Sequence, residues 1–70
     1  MHIKEDPRFK EAARCLLATW LAQDAGERAD GDAERYRHLA HVLECEYGKT
    51  FKEVAHMVSA KAQEKYMEDV

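Results

Sequence analysis

Seven residues, Tyr47-Gly48-Lys49-Thr50-Phe51-Lys52-Glu53, constrain this chain more than any other stretch. Gly48 is free to take the left-handed backbone that closes a helix C-terminus, where a Cβ would clash. Thr50 and Glu53 carry the T-x-x-E spacing of a capping box. In that box the Thr50 hydroxyl accepts from the Glu53 N–H, and the Glu53 carboxylate reaches back to the Thr50 N–H. A helix stop followed almost at once by a helix start leaves no room for a strand or a linker. Two helices must meet at this corner and either reverse or cross.

The flanking segments have the periodicity to supply them. Asp6-Pro7 offers an N-cap and the proline favoured at a first helical position. From there Phe9, Ala13, Leu16, Leu17, Trp20 and Leu21 form one apolar stripe at helical spacing, and Gly26 follows as a stop. The first helix is therefore expected over residues 7–25. Asp30 or Asp32 is expected to cap a second helix over 32–47, with Tyr36, Leu39, Ala40, Leu43 and Tyr47 inward. A third is expected over 51–68, with Phe51, Val54, Ala55, Val58, Ala62 and Tyr66 inward. The lead Met1–Glu5 carries Ile3 without any periodicity and is expected to fray. So is the last turn, Glu68-Asp69-Val70, whose acids face the negative end of the helix dipole. The fold class that follows is all-α: one domain over 1–70, its three amphipathic helices in a small bundle or helical hairpin.

Size then raises the question of what steadies such a bundle. A chain of 70 residues buries only about 60% of the surface exposed by its unfolded form, so the core is thin. Small domains often add disulfides, a metal or a second subunit. Cys15 and Cys45 are the only cysteines, and no cationic stretch leads into an apolar one at the start, so a disulfide framework is not expected. Charge interrupts every apolar run well short of the roughly 20 residues that span a bilayer, and a soluble, cytoplasmic protein is expected. Self-association is the remaining route, and a homodimer is the commonest form of it.

Three constellations are candidates for chemistry. His38, His41 and Cys45 stand at i, i+3 and i+7 on the second helix, opposite Leu39, Leu43 and Tyr47. Imidazole and thiolate are zinc or copper ligands, and such spacing lets two ligands converge, although a structural site needs four. With Val42 between them, the same residues also read as a semi-polar face for a partner protein, which the composition favours over metal. Cys15, Ala18 and Ala22 form a second small-residue face on the first helix, suited to close approach of a partner helix. Trp20 is the third candidate, being of the type that anchors interfaces when exposed. Catalysis is not expected. His41 and Cys45 have no sign of a cleft or oxyanion donors around them, and the three glycines are isolated, so no phosphate loop exists. No cofactor is implied.

The net charge of −3, with the deficit in the middle segment, lacks the basic stripe that dominates nucleic-acid affinity. Even so, Thr50-Phe51-Lys52-Glu53-Val54-Ala55 resembles the opening of the first helix in bacterial helix-turn-helix units. That family places a glycine turn about four residues beyond Ala55, where this chain has Ser59 and then helix-favouring residues. If the second and third helices were themselves the pair, Lys52, His56, Ser59 and Gln63 would face the groove, beside Glu53, Glu64 and Glu68. The leading expectation is a non-catalytic protein–protein interaction module, a regulator or inhibitor of bacterial or phage type that occupies a surface of another protein. Its partner-binding candidates are Cys15, Ala18, Trp20, Ala22, His38, His41, Val42 and Cys45. The alternative is a helix-turn-helix DNA-binding regulator.

Overall fold

The computed structural model describes residues 2–68. A single 3-10 turn, Ile3–Glu5, leads into three helices: α1 (Pro7–Asp24), α2 (Asp30–Tyr47) and α3 (Phe51–Glu68). The chain is an all-α bundle with short connections, as the periodicity requires. Asp69 and Val70, for which fraying is expected, lie outside the described residues, as does Met1.

Each helix boundary has a local cause. Asp6 caps α1 by accepting from the Arg8 N–H at 2.8 Å, with Pro7 at the first helical position. At the other end Gly26, at φ 73°, lets the Glu27 N–H reach the Ala22 carbonyl at 2.7 Å and the Gly26 N–H reach Gln23 at 3.0 Å. This six-to-one closure satisfies carbonyls that the helix leaves without partners. Gly48, at φ 62°, does the same for α2, and the Lys49 N–H returns to the Glu44 carbonyl at 3.2 Å. Helix α3 then starts as the T-x-x-E spacing requires, with the Glu53 N–H donating to the Thr50 hydroxyl oxygen at 3.2 Å. The second half of the box differs from expectation. Glu53 Oε1 accepts from the Thr50 hydroxyl at 3.3 Å instead of from the Thr50 N–H. One hydroxyl thus accepts from the backbone and donates to the side chain.

The start of α2 also departs from the sequence reading. It begins at Asp30, so Asp30 and Asp32 both sit inside the first turn, and Ala29 occupies the cap position with no side-chain bond. Their carboxylates favour the positive end of the helix dipole without serving as caps.

The core is built on α1, which packs on the N-terminal turn, on α2 and on α3, while α2 and α3 touch each other less. Ile3, Phe9, Ala12, Ala13, Ala40, Leu43, Val54 and Val58 form the buried cluster, with Leu16, Tyr36, Leu39, Tyr47, Phe51 and Met57 packed around it. Two expectations are corrected here. The lead does not fray from Ile3 onward: Ile3 is 2% exposed, held in the 3-10 turn by Glu5 N–H to His2 O and Asp6 N–H to Ile3 O bonds of 2.9 and 3.1 Å. And α1 is rotated from its expected register, burying Ala12 and Cys15 and leaving Leu21 46% exposed. Leucines outnumber small residues on the expected stripe, but a helix that packs on two others at once needs small side chains where their backbones come near.

One buried polar group joins these parts. Asp6 is 4% exposed, and its carboxylate accepts from Arg8 Nη2 at 2.8 Å, from Arg8 Nε at 3.1 Å and from the Tyr47 hydroxyl of α2 at 2.7 Å. Arg8 also reaches Glu46 at 3.4 Å. The Arg8 guanidinium, then the Tyr47 hydroxyl, hold the Asp6 carboxyl well below the usual carboxylate range. The Tyr47 phenol is pushed up because its proton is committed to Asp6.

Two outcomes follow from this geometry. A carboxylate that ionises at lower pH in the folded chain than in the unfolded chain stabilises the fold fully above its unfolded value, about 3.9, and loses that contribution as pH falls from there. The difference in melting temperature between the native chain and Asp6→Asn should therefore be widest near neutral pH and should shrink steadily below about pH 4. For the glycines, an added Cβ meets nothing within 4 Å at either Gly31 or Gly48. Only backbone conformation separates the two sites. Gly48→Ala should cost roughly 1–2 kcal/mol in urea unfolding, as a left-handed residue, whereas Gly31→Ala should stabilise by about 0.5–1 kcal/mol as a helical one.

Candidate functional site

Helix α3 lies across α1, so its two flanks face opposite halves of that helix. On one flank Ser59, Gln63 and Tyr66 border Trp20, Gln23 and Asp24. On the other, Lys61 and Lys65 border Lys10, Ala13, Arg14 and Leu17. This second groove, about 360 Å³, is the candidate site. Its floor is Ala13 and Leu17, and cations form its rim.

The α1 wall follows from helical spacing. Lys10, Arg14, Leu17 and Leu21 stand at i, i+4, i+7 and i+11, which places them on one strip of surface running from charged to apolar. Lys61 and Lys65 repeat the i, i+4 relation on α3. Two of the four rim cations are partly neutralised. Arg14 donates to Glu11, which also receives Arg35 of α2 at 3.2 Å, and Lys65 lies 3.8 Å from Glu68. The Arg14 contact holds the Glu11 carboxyl below its ordinary range and the Arg14 guanidinium above its own. Lys10 and Lys61 have no carboxylate in salt-bridge contact among the described residues. On a chain of net charge −3, the groove thus gathers excess positive charge around an apolar floor.

The opposite flank is a shallower and more open depression, about 430 Å³, whose aromatic groups are engaged with one another. Trp20 and Tyr66 meet edge to face at 6.2 Å between centroids, and the Tyr66 hydroxyl donates to Asp24. That bond pushes the Tyr66 phenol up. Trp20 also borders a shallow groove against α2, with Leu16, Thr19, Ala33, Tyr36 and Arg37. It stands half-buried as a ridge between two depressions.

The residues singled out from sequence are dispersed by the fold. Cys15 is fully buried, and its burial pushes the thiol pKa up, so it does not line an open face with Ala18 and Ala22, which are half-buried. The cause is the rotation of α1 described above. His38 and Cys45 are exposed and Val42 is half-buried. His41 is engaged locally, with Nδ1 3.2 Å from Glu44 and its ring 4.8 Å from that of Phe51. It belongs to the corner between α2 and α3. Among the described residues no group of three His, Cys, Asp or Glu side chains is arranged to hold a metal ion. On α3, Lys52, His56 and Gln63 are exposed and Ser59 is half-buried, with Glu53 and Glu64 exposed beside them. No described helix is long and apolar enough to cross a membrane.

No protein-family model matches the chain, and no curated protein and no solved structure is significantly similar to it. The groove must be read from its own chemistry. Sequence reasoning missed it because its walls come from different helices, and the way α3 lies across α1 is not written in either stripe. One signal was available. Lys61 and Lys65 are like charges at i, i+4, a spacing that costs helix stability unless something else draws on it.

Burial separates the two thiols sharply. In the folded chain a thiol-specific reagent should label exposed Cys45, and Cys15 only after denaturant is added; mass spectrometry of the labelled peptides checks this.

Proposed function

We propose that this chain is a non-catalytic protein–protein interaction module, a regulator or inhibitor that acts by covering a surface of another protein. The observation that carries the reading is the Leu17–Leu21 strip of α1: Leu17 lines the groove, and Leu21, one helical turn further along the same face, is 46% exposed. A lone exposed leucine on a protein surface is ordinary. Here the leucine follows Leu17 at i+4 and ends a row of cations on the same helix face, which combines the apolar centre and charged edge of a recognition surface.

The thin core supports self-association as part of the same reading. Its largest fully buried side chains are Phe9, Leu43, Val54, Val58 and Cys15. A homodimer would use the same leucine strip, and so would compete with a partner for it.

A photo-crosslinking residue placed at Leu21 tests the reading in cells of the source organism, with exposed Lys52 of α3 as the control position. Discrete protein adducts at position 21 and not at 52 are the expected outcome. Equal adducts at both positions, or none at either, would remove it. Leu21→Glu should leave the melting temperature within a few degrees, since the side chain is largely solvated, while at least halving adducts formed from neighbouring Leu17.

A further inference from the structure

We infer that the α1/α3 groove binds an acidic amphipathic helix of a partner protein, with its carboxylates on the Lys10, Arg14, Lys61 and Lys65 rim and its apolar side chains on Leu17 and Leu21. The inference rests on the interaction-module reading and adds the chemistry and polarity of the partner.

Charge complementarity selects the occupant. Among the described residues, Arg14 contacts Glu11 and Lys65 contacts Glu68, Lys10 and Lys61 have no carboxylate in salt-bridge contact, and Glu64 lies on the far flank of Lys61, toward Lys4 and Met57. A ligand with carboxylates supplies what the rim lacks, and charge of this kind steers encounter and sets orientation. The floor selects further. Ala13 and Leu17 offer methyl groups, and no aromatic ring lines the groove to form a stacking platform for nucleic-acid bases. A ligand presenting both carboxylates and branched aliphatic side chains satisfies floor and rim together.

The α1 strip also sets a spacing. The Lys10–Arg14 pair and the Leu17–Leu21 pair are offset by one heptad, about 10 Å along the helix at roughly 1.5 Å per residue. A partner helix lying along α1 therefore needs its acidic pair and its apolar pair about seven residues apart. Amphipathic helices seated in grooves are read through anchors at such spacings.

The test uses the full chain and fluorescent synthetic helical peptides. The matched probe carries two glutamates and two leucines one heptad apart on a helix-forming background. Its comparators are a scramble of the same composition, the same peptide with glutamine for glutamate, a single-stranded oligonucleotide, and vesicles of anionic phospholipid. The matched peptide should bind at least tenfold more tightly than the scramble and the glutamine form. Affinity should fall at least tenfold in Lys61→Glu/Lys65→Glu and on raising salt, with Lys61→Arg/Lys65→Arg retaining it. Equal binding of matched and scrambled peptides, retention of binding by the charge-reversed variant, or preference for the oligonucleotide or the vesicles would each overturn the proposal. Circular dichroism confirms that the variants fold; Lys10→Glu supplies a second route to the same loss. Failure here is distinct from failure of the module reading. Adducts at Leu21 that persist in Lys61→Glu/Lys65→Glu would refute the acidic partner and leave the module intact. Matched-peptide binding without any adduct at Leu21 would uphold the groove chemistry and refute the module.

Discussion

The carboxylate of Asp6 is the point on which the architecture depends. Its backbone N–H closes the N-terminal turn onto Ile3, its carbonyl receives the Phe9 N–H of the first helical turn, and its side chain accepts from Arg8 and from Tyr47 at the far end of α2. One residue therefore fixes the lead, the start of α1 and the side of α1 on which α2 returns. A buried charge is tolerated only when it is paired and hydrogen-bonded, and this one is both. Among the described residues no buried side-chain nitrogen or oxygen lacks a partner. The knot sits next to Gly48, so the corner between α2 and α3 is placed relative to the N-terminus by the same bonds.

The existence and type of the helices were legible in the sequence because each rests on local chemistry. Asp6-Pro7, Gly26, Gly48 and Thr50-x-x-Glu53 act within one turn of themselves, and the observed ends of α1 and α3 agree with them. What could not be read was rotation about the helix axes. Counting large apolar residues on α1 centred the stripe toward Leu17 and Leu21, whereas packing on two neighbours also favours Ala12 and Cys15, whose small volume a hydrophobicity count undervalues. Ile3 was lost for a related reason: a single apolar residue has no period, and only tertiary contact and the bonds around Asp6 hold it inside.

The candidate site was less legible than the fold, because it belongs to no single segment. Inspection of α2 face by face finds His38, His41 and Cys45, which share one helix face, yet His41 is occupied by Glu44 and by Phe51 of α3, and among the described residues no further ligand-type side chains join them. The groove instead arises where Lys10 and Arg14 of one helix come beside Lys61 and Lys65 of another. Sequence showed both pairs, but it kept them more than forty positions apart.

That α1 touches every other element while α2 and α3 meet sparingly has a consequence for how the chain moves. Helix α3 is joined to the remainder chiefly through α1, whereas α1 is joined to every other element. Local openings with their own free energies are general in small proteins. Here the unequal contacts lead one to expect the backbone amides of α1 to exchange with solvent more slowly than those of α3.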